Sequence, residues 1–91
     1  MRIIQIVLGA GATPITTNTS IYCSAIYIQN PAAAVVRVGD NTVSATRGIS
    51  LPATSTPFAF QNFAVRGSHL SEWFLFGGAG NLVDILYETS N

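Results

Sequence analysis

Apolar residues come in short runs along this chain, broken roughly every eight to twelve residues by Gly, Pro, Asn or Asp. β-Branched and aromatic residues fill those runs, and the long helix formers are scarce. The pattern predicts short strands rather than helices. The first is Arg2 to Leu8, RIIQIVL, closed by GAGATP. A hydroxyl-rich link, TTNTS, leads into a second, IYCSAIYIQ, from Ile21 to Gln29. Asn30-Pro31 ends it, because proline fixes its own φ and brings no amide hydrogen.

Alternation is cleaner beyond that point. In AVVRVGDN, Val36 and Val38 face one way and Arg37 the other, with Gly39-Asp40-Asn41 supplying a turn. In TVSATR, Val43 and Ala45 oppose Ser44 and Thr46, so the two segments predict a β-hairpin. GISLPATSTP reads as a loop holding at most a short strand at Ile49 to Leu51. Phe58 and Phe60 share a face in FAFQ, and Phe63 with Val65 continues it after a bend at Asn62. The last predicted hairpin is EWFLF, GGAGN and LVDILYE. In its second strand Val83, Ile85 and Tyr87 form the core face, while Asp84 and Glu88 share the other face with Leu82 and Leu86. The expected fold is all-β: one domain spanning residues 1–91, an antiparallel β-sandwich of the jelly-roll kind with about seven or eight short strands.

The opening MRIIQIVLGAGATP imitates a dinucleotide-binding start, a strand followed by Gly9 and Gly11. That fingerprint needs a third glycine and a helix whose N-terminus holds the pyrophosphate. Here the third position is Pro14, and β-branched, hydroxylated ITTNTS follows it. GAGATP is therefore expected to be a turn between strands, and no nucleotide or other cofactor is expected. GGAGN fails likewise, because a strand follows it.

Composition sharpens the picture. Only 9% of the 91 residues are charged, four Arg, four acids and no Lys, against about 25% in an average globular chain. A free monomer ordinarily carries a dense coat of mixed charge, so much of this surface is expected to be covered by partners. Zero net charge with scattered Arg argues against a nucleic-acid partner. The apolar runs fall well short of the ~20 residues of a membrane span. Residues 1–8 are too short for a signal-peptide centre, and Ala10 and Ala12 mimic a cleavage site poorly.

Catalytic chemistry finds little to work with. His69 lies in GSHLSE beside Ser68, Ser71 and Glu72, but neighbours on one loop do not converge as a Ser–His–acid site requires. Cys23 sits in an apolar strand and is expected to be a buried, inert thiol rather than a partner of His69. A lone Cys forms no internal disulfide, and one His with separated carboxylates makes no recognisable metal site. Asp84 and Glu88 are too solitary for glycoside hydrolysis. The reading is a non-enzyme without metal.

Binding fares better. Adjacent Trp73 and Phe74 cannot both enter one core from a strand. Arg37, Arg47 and Arg66 lie on or beside strands with little neighbouring acid, and arginine is favoured at interfaces for its planar fork. With Phe63, Phe74, Leu82 and Leu86 they form the expected partner-contact set.

The string IYIQNPAAAVVRVGDNTVSATRGISL, Ile26 to Leu51, resembles small virion structural proteins of tailed bacteriophages. Gln29-Asn30, Val36 to Asp40 and Ser44 to Leu51 carry the likeness, and the ending fits too, with LSEWFLFG before a Gly-rich turn and LVDILYE. A proline-glycine turn often follows the Gly-Ile-x-Leu element in that group; this chain has Pro52-Ala53-Thr54 instead. The resemblance implies a capsid decoration, or cement, protein. It would be made in the host cytoplasm, then bind the major capsid protein on the outside of the virion and associate with itself as a trimer. A tail or head-fibre component of the same fold is the nearest alternative, and a carbohydrate-binding module, suited by exposed aromatics and hydroxylated loops, is the alternative of a different kind.

Overall fold

A computed structural model describes residues 2–30, 35–51, 57–60 and 68–89. It is all-β. The strands are β1 (Arg2–Val7), β2 (Thr13–Pro14), β3 (Tyr22–Gln29), β4 (Val36–Gly39), β5 (Ile49–Leu51), β6 (Phe58–Phe60), β7 (Ser68–His69), β8 (Phe74–Phe76) and β9 (Leu82–Thr89). Among the described residues the one helical piece is a 3-10 turn at Leu70–Glu72.

Two sheets result. The front sheet runs β1-β9-β3-β6, with β7 also on β3; the back sheet runs β2-β8-β4-β5. The pairings follow a simple rule: first strand with last, second with next-to-last, third with sixth, fourth with fifth, all antiparallel. The chain is thus one long hairpin doubled at β4–β5 and rolled around a core, the jelly-roll arrangement. Inward residues of both sheets fill that core: Ile6 and Leu8, Ile26 and Ile28, Val36 and Val38, Leu51, Leu75, Val83 and Ile85.

β3 contains core residues at an odd spacing, Cys23 and then Ile26, which simple alternation forbids. A register shift between Cys23 and Ala25 resolves it. The extra residue lets Cys23 and Ile26 both face inward, as a bulge does.

Two predicted hairpins are corrected. EWFLF and LVDILYE do not pair. β8 lies in the back sheet and β9 in the front one, and GGAGN carries the chain between layers with Gly78 and Gly80 at φ of 94° and 89°. The Gly80 N–H bonds the Leu8 carbonyl and the Asn81 side chain bonds the Gly77 carbonyl, which anchors the crossover to the front sheet. β4 pairs with β5, Val36 against Leu51 and Val38 against Ile49, and not with TVSATR. Asp40 captures the Thr42 N–H and hydroxyl and starts a tight turn. A single bridge, Ser44 to Arg47, then consumes TVSATR before the strand begins. Gly48 closes this turn at φ 129°, where a Cβ would lie 2.7 Å from Val43 and 3.0 Å from the Val38 carbonyl. Phe63 and Val65 lie outside the described residues.

Candidate functional site

The sandwich presents two outer faces. On the front sheet the registers align residues from neighbouring strands into rows. One row is polar: Gln5, Asp84 and Gln29, with Gln5 Nε2 donating to Asp84 Oδ1 at 3.0 Å. The next crosses four strands and is apolar: Ile3, Leu86, Tyr27 and Ala59. Ile3 is 72% exposed, and Ile3, Leu86 and Tyr27 border, with Pro57, a shallow groove of about 320 Å³. At the other end of the strands Val7 stands opposite Leu82, 61% and 42% exposed.

On the back sheet, Arg37 lies opposite Phe76 on one side and Ser50 on the other, and Phe74 opposite Gly39 and Pro14. Arg37 Nη1 donates to the Gly48 carbonyl at 2.9 Å, so its guanidinium is held over the 40–48 turn. Arg47 is exposed on that same turn. Asp40 there has a carboxyl held below its ordinary range, first by the Thr42 hydroxyl, then by the Thr42 N–H, with a smaller contribution from Arg47.

The expected contact residues therefore divide between opposite sides of the molecule. Arg37, Arg47 and Phe74 belong to the back sheet and its end; Leu82 and Leu86 belong to the front face. Phe63 and Arg66 lie outside the described residues. Ile3, Val7 and Tyr27, which are not in the expected contact set, join Leu82 and Leu86 on the front face. Ile3-Ile4 and Ile6-Val7-Leu8 are apolar on both faces, so alternation there gives no outward side; only the register against β9 supplies it.

The predicted inert groups are placed as follows. Cys23 is buried, donates to the Ser68 carbonyl at 3.2 Å, and burial pushes its thiol pKa up. His69 pairs with Tyr22, ring centroids 4.1 Å apart, and its Nδ1 lies 3.0 Å from the Thr19 carbonyl. Tyr22 pairs with His69 and Cys23 with Ser68, so the thiol and the imidazole stand on opposite faces of the sheet. Among the described residues no three His, Cys, Asp or Glu side chains gather as a metal site, and no helix is long and apolar enough to cross a membrane. The GAGA turn leads into β2, and the Thr13 hydroxyl accepts from the Gly9 N–H at 2.9 Å and donates to the Gly11 carbonyl, which ties the turn to the strand that follows it.

Trp73 is half-buried at one end of the sandwich. Its ring meets Phe60 edge to face at 5.3 Å, and its N–H is taken by Ser68 Oγ at 3.0 Å. Phe74 turns the other way, to the outside of the back sheet, while Leu75 enters the core.

No protein-family model matches this chain, and no curated protein or solved structure matches it either.

Proposed function

We propose that this chain is a non-enzymatic structural protein of a tailed-bacteriophage virion, a decoration protein that binds the outer surface of the capsid as an oligomer and stabilises the shell. The observation that carries the reading is the apolar row Ile3–Leu86–Tyr27–Ala59 on the front face. A sheet face turned to water is ordinarily polar. An apolar stripe rimmed by Gln5, Asp84 and Gln29 has instead the composition of an interface, an apolar centre with a polar margin. The 9% charge content and the resemblance of Ile26–Leu51 to phage virion proteins point the same way.

A protein that binds the assembled shell and not its separated subunits stabilises it by linkage, in proportion to RT ln(1 + [L]/Kd). Many copies per particle turn modest contacts into a durable coat. The carbohydrate-binding alternative draws on exposed aromatic platforms; Trp73 is half-buried with its N–H engaged, which favours assembly over sugar stacking.

The test mixes the purified protein with phage heads that lack it and follows co-sedimentation and heat resistance of the heads. Saturable binding with a rise in disruption temperature is expected, weakened by Arg37→Ala, Arg47→Ala and Leu86→Asp. Heads that sediment bare, together with specific signals on a glycan array, would replace this reading with the lectin one.

A further inference from the structure

β1 pairs with β9 on one side and forms the edge of the front sheet on the other. Leu8 extends the β9 ladder, donating to the Asn81 carbonyl at 2.9 Å and accepting from the Gly80 N–H at 2.8 Å. Backbone groups alternate sides along an antiparallel strand. Leu8, Ile6, Ile4 and Arg2 therefore direct theirs to β9, and Ile3, Gln5 and Val7 turn theirs to the open edge. Among the described residues no backbone group bonds to that edge. Natural sheets blunt such edges with lysine, proline, a bulge or an inward charge. From Ile3 to Val7, β1 has none of these.

The same stretch reads alike in both directions. IIQIV is a palindrome in shape and polarity about Gln5, with Ile4 matched by Ile6 and Ile3 by Val7. We propose that β1 is an interface for a second copy of this chain, the two joined edge to edge by antiparallel β1 strands about a two-fold axis through Gln5. In this register Gln5 faces its counterpart and Ile3 faces Val7 of the second copy. Every outward backbone group between Ile3 and Val7 then has a partner. An axis through Ile6 or Val7 sets Ile3 opposite Gly9 or Gly11, outside any strand, and one through Ile3 or Ile4 loses the match of Ile3 with Val7.

Side chains agree with the backbone. Ile3 and Val7, the two most exposed of the large apolar residues described, cover one another across the axis. Gln5 commits one amide hydrogen to Asp84, which leaves its carbonyl oxygen and second hydrogen for the facing amide. Arg2 stands opposite Leu8 of the second copy, roughly 20 Å from its own counterpart at ~3.4 Å per residue. At that range salt screens the repulsion between them. The contact is self-complementary and closes as a pair, so it is distinct from the trimer that the resemblance implies. It does not rest on the shell reading.

The experiment is sedimentation of the purified full chain over a wide range of concentration, with edge variants designed around the register. The native chain is expected to dimerise. Ile3→Lys/Val7→Lys sets like charges opposite each other in both flanking pairs and is expected to weaken dimerisation at least about tenfold. Ile3→Lys/Val7→Glu sets opposite charges there and is expected to restore it. Gln5→Cys is expected to cross-link to itself on mild oxidation, since facing Cα atoms of a hydrogen-bonded pair lie about 5.5 Å apart, within disulfide reach. Val7→Cys, roughly 13 Å from its counterpart, is expected not to. A native chain that stays monomeric, a dimer indifferent to the charge reversal, open-ended fibres in place of pairs, or cross-linking of Val7→Cys as readily as Gln5→Cys would each overturn the proposal. Circular dichroism of every variant separates lost pairing from lost folding.

Discussion

Asn30 Nδ2 donates to the Leu51 carbonyl at 2.7 Å, with Asn30 wholly buried. The bond joins the end of β3 in the front sheet to the end of β5 in the back sheet, so one side chain ties the two layers where the chain crosses between them.

Asn30→Ala is expected to destabilise the fold by about 1–3 kcal/mol, because the Leu51 carbonyl would lose its partner inside the core. Asn30→Asp should cost more. It presents an acceptor to an acceptor and obliges a buried carboxyl either to stay protonated or to carry a charge out of water. Urea midpoints at neutral pH check the order: native, then Asn30→Ala, then Asn30→Asp. Equal midpoints for native and Asn30→Ala would show that the bond is not worth its desolvation.

The fold class was legible because inward and outward positions alternate: Val36 and Val38 against Arg37, and Val83, Ile85 and Tyr87 against Asp84 and Glu88, fell on the faces expected. Alternation says which side of a strand is buried and nothing about which strand lies beside it. That is why the EWFLF–LVDILYE hairpin failed: both segments alternate well, yet their partners are β2 and β4 for one and β1 and β3 for the other. The β4 partner was missed by a few residues for a different reason. Turn length there is set by Asp40 capturing Thr42 and by Gly48, details that hydrophobic patterning does not encode. The front-face row was invisible because Ile3 and Tyr27 acquire a common neighbour, Leu86, only through long-range registers.

Gly48 and Gly80 both have positive φ, 129° and 89°, but their surroundings differ. A Cβ at Gly80 would meet nothing within 4 Å, whereas one at Gly48 would crowd Val43 and the Val38 carbonyl. Gly80→Ala is expected to cost about 1–2 kcal/mol for the backbone conformation alone. Gly48→Ala adds overpacking of about 1–3 kcal/mol and should loosen the turn that carries Arg47. Thermal midpoints of the two variants should separate clearly; coincident values would mean that the 40–48 turn yields without resistance.

Among the described residues, Asp40 contributes to the acid limb of the pH dependence and Cys23 to the alkaline one. The Asp40 carboxyl titrates below its unfolded value of about 4, so the unfolded chain binds more protons in that window. The stabilisation is present above that value and is lost as pH falls through the folded one. Cys23 titrates above its unfolded value of about 8.5. Its contribution is complete below that value and declines as pH rises toward the folded one. Thr42→Val should weaken the acid limb by removing the hydroxyl that holds Asp40 down, and Cys23→Ala should flatten the alkaline one. Urea midpoints across pH, with thiol-reagent reactivity of the native chain, check both; a rapidly modified thiol at neutral pH would contradict the burial of Cys23.

Trp73 separates packing from hydrogen bonding. Trp73→Ala removes the half-buried ring that meets Phe60 and is expected to cost about 2–3 kcal/mol, less than truncation of a fully buried aromatic. Ser68→Ala leaves the ring in place and removes the acceptor of its N–H, for about 1 kcal/mol. Trp73→Phe should fall between them. Indole fluorescence gives an independent reading, since Ser68→Ala is expected to shift the emission maximum without loss of native structure. An unchanged midpoint in Trp73→Ala would show that the ring carries no packing.

Residues of one strand distinguish a face that holds the fold from a face that holds a partner. Ile6 is 9% exposed and Ile3 72% exposed on β1, three positions apart and on opposite sides of the sheet. Ile6→Thr puts a hydroxyl into the core and deletes a methyl contact there, and is expected to cost about 2–4 kcal/mol. Ile3→Thr keeps a β-branched residue on a strand and is expected to shift monomer stability by less than about 0.5 kcal/mol. The measurement belongs at dilution, because any association stabilises the folded chain in a concentration-dependent way. At higher concentration Ile3→Thr should then lose stability relative to the native chain while Ile6→Thr keeps a constant deficit. A constant difference for Ile3→Thr at every concentration would show that the front edge of this sandwich meets only water.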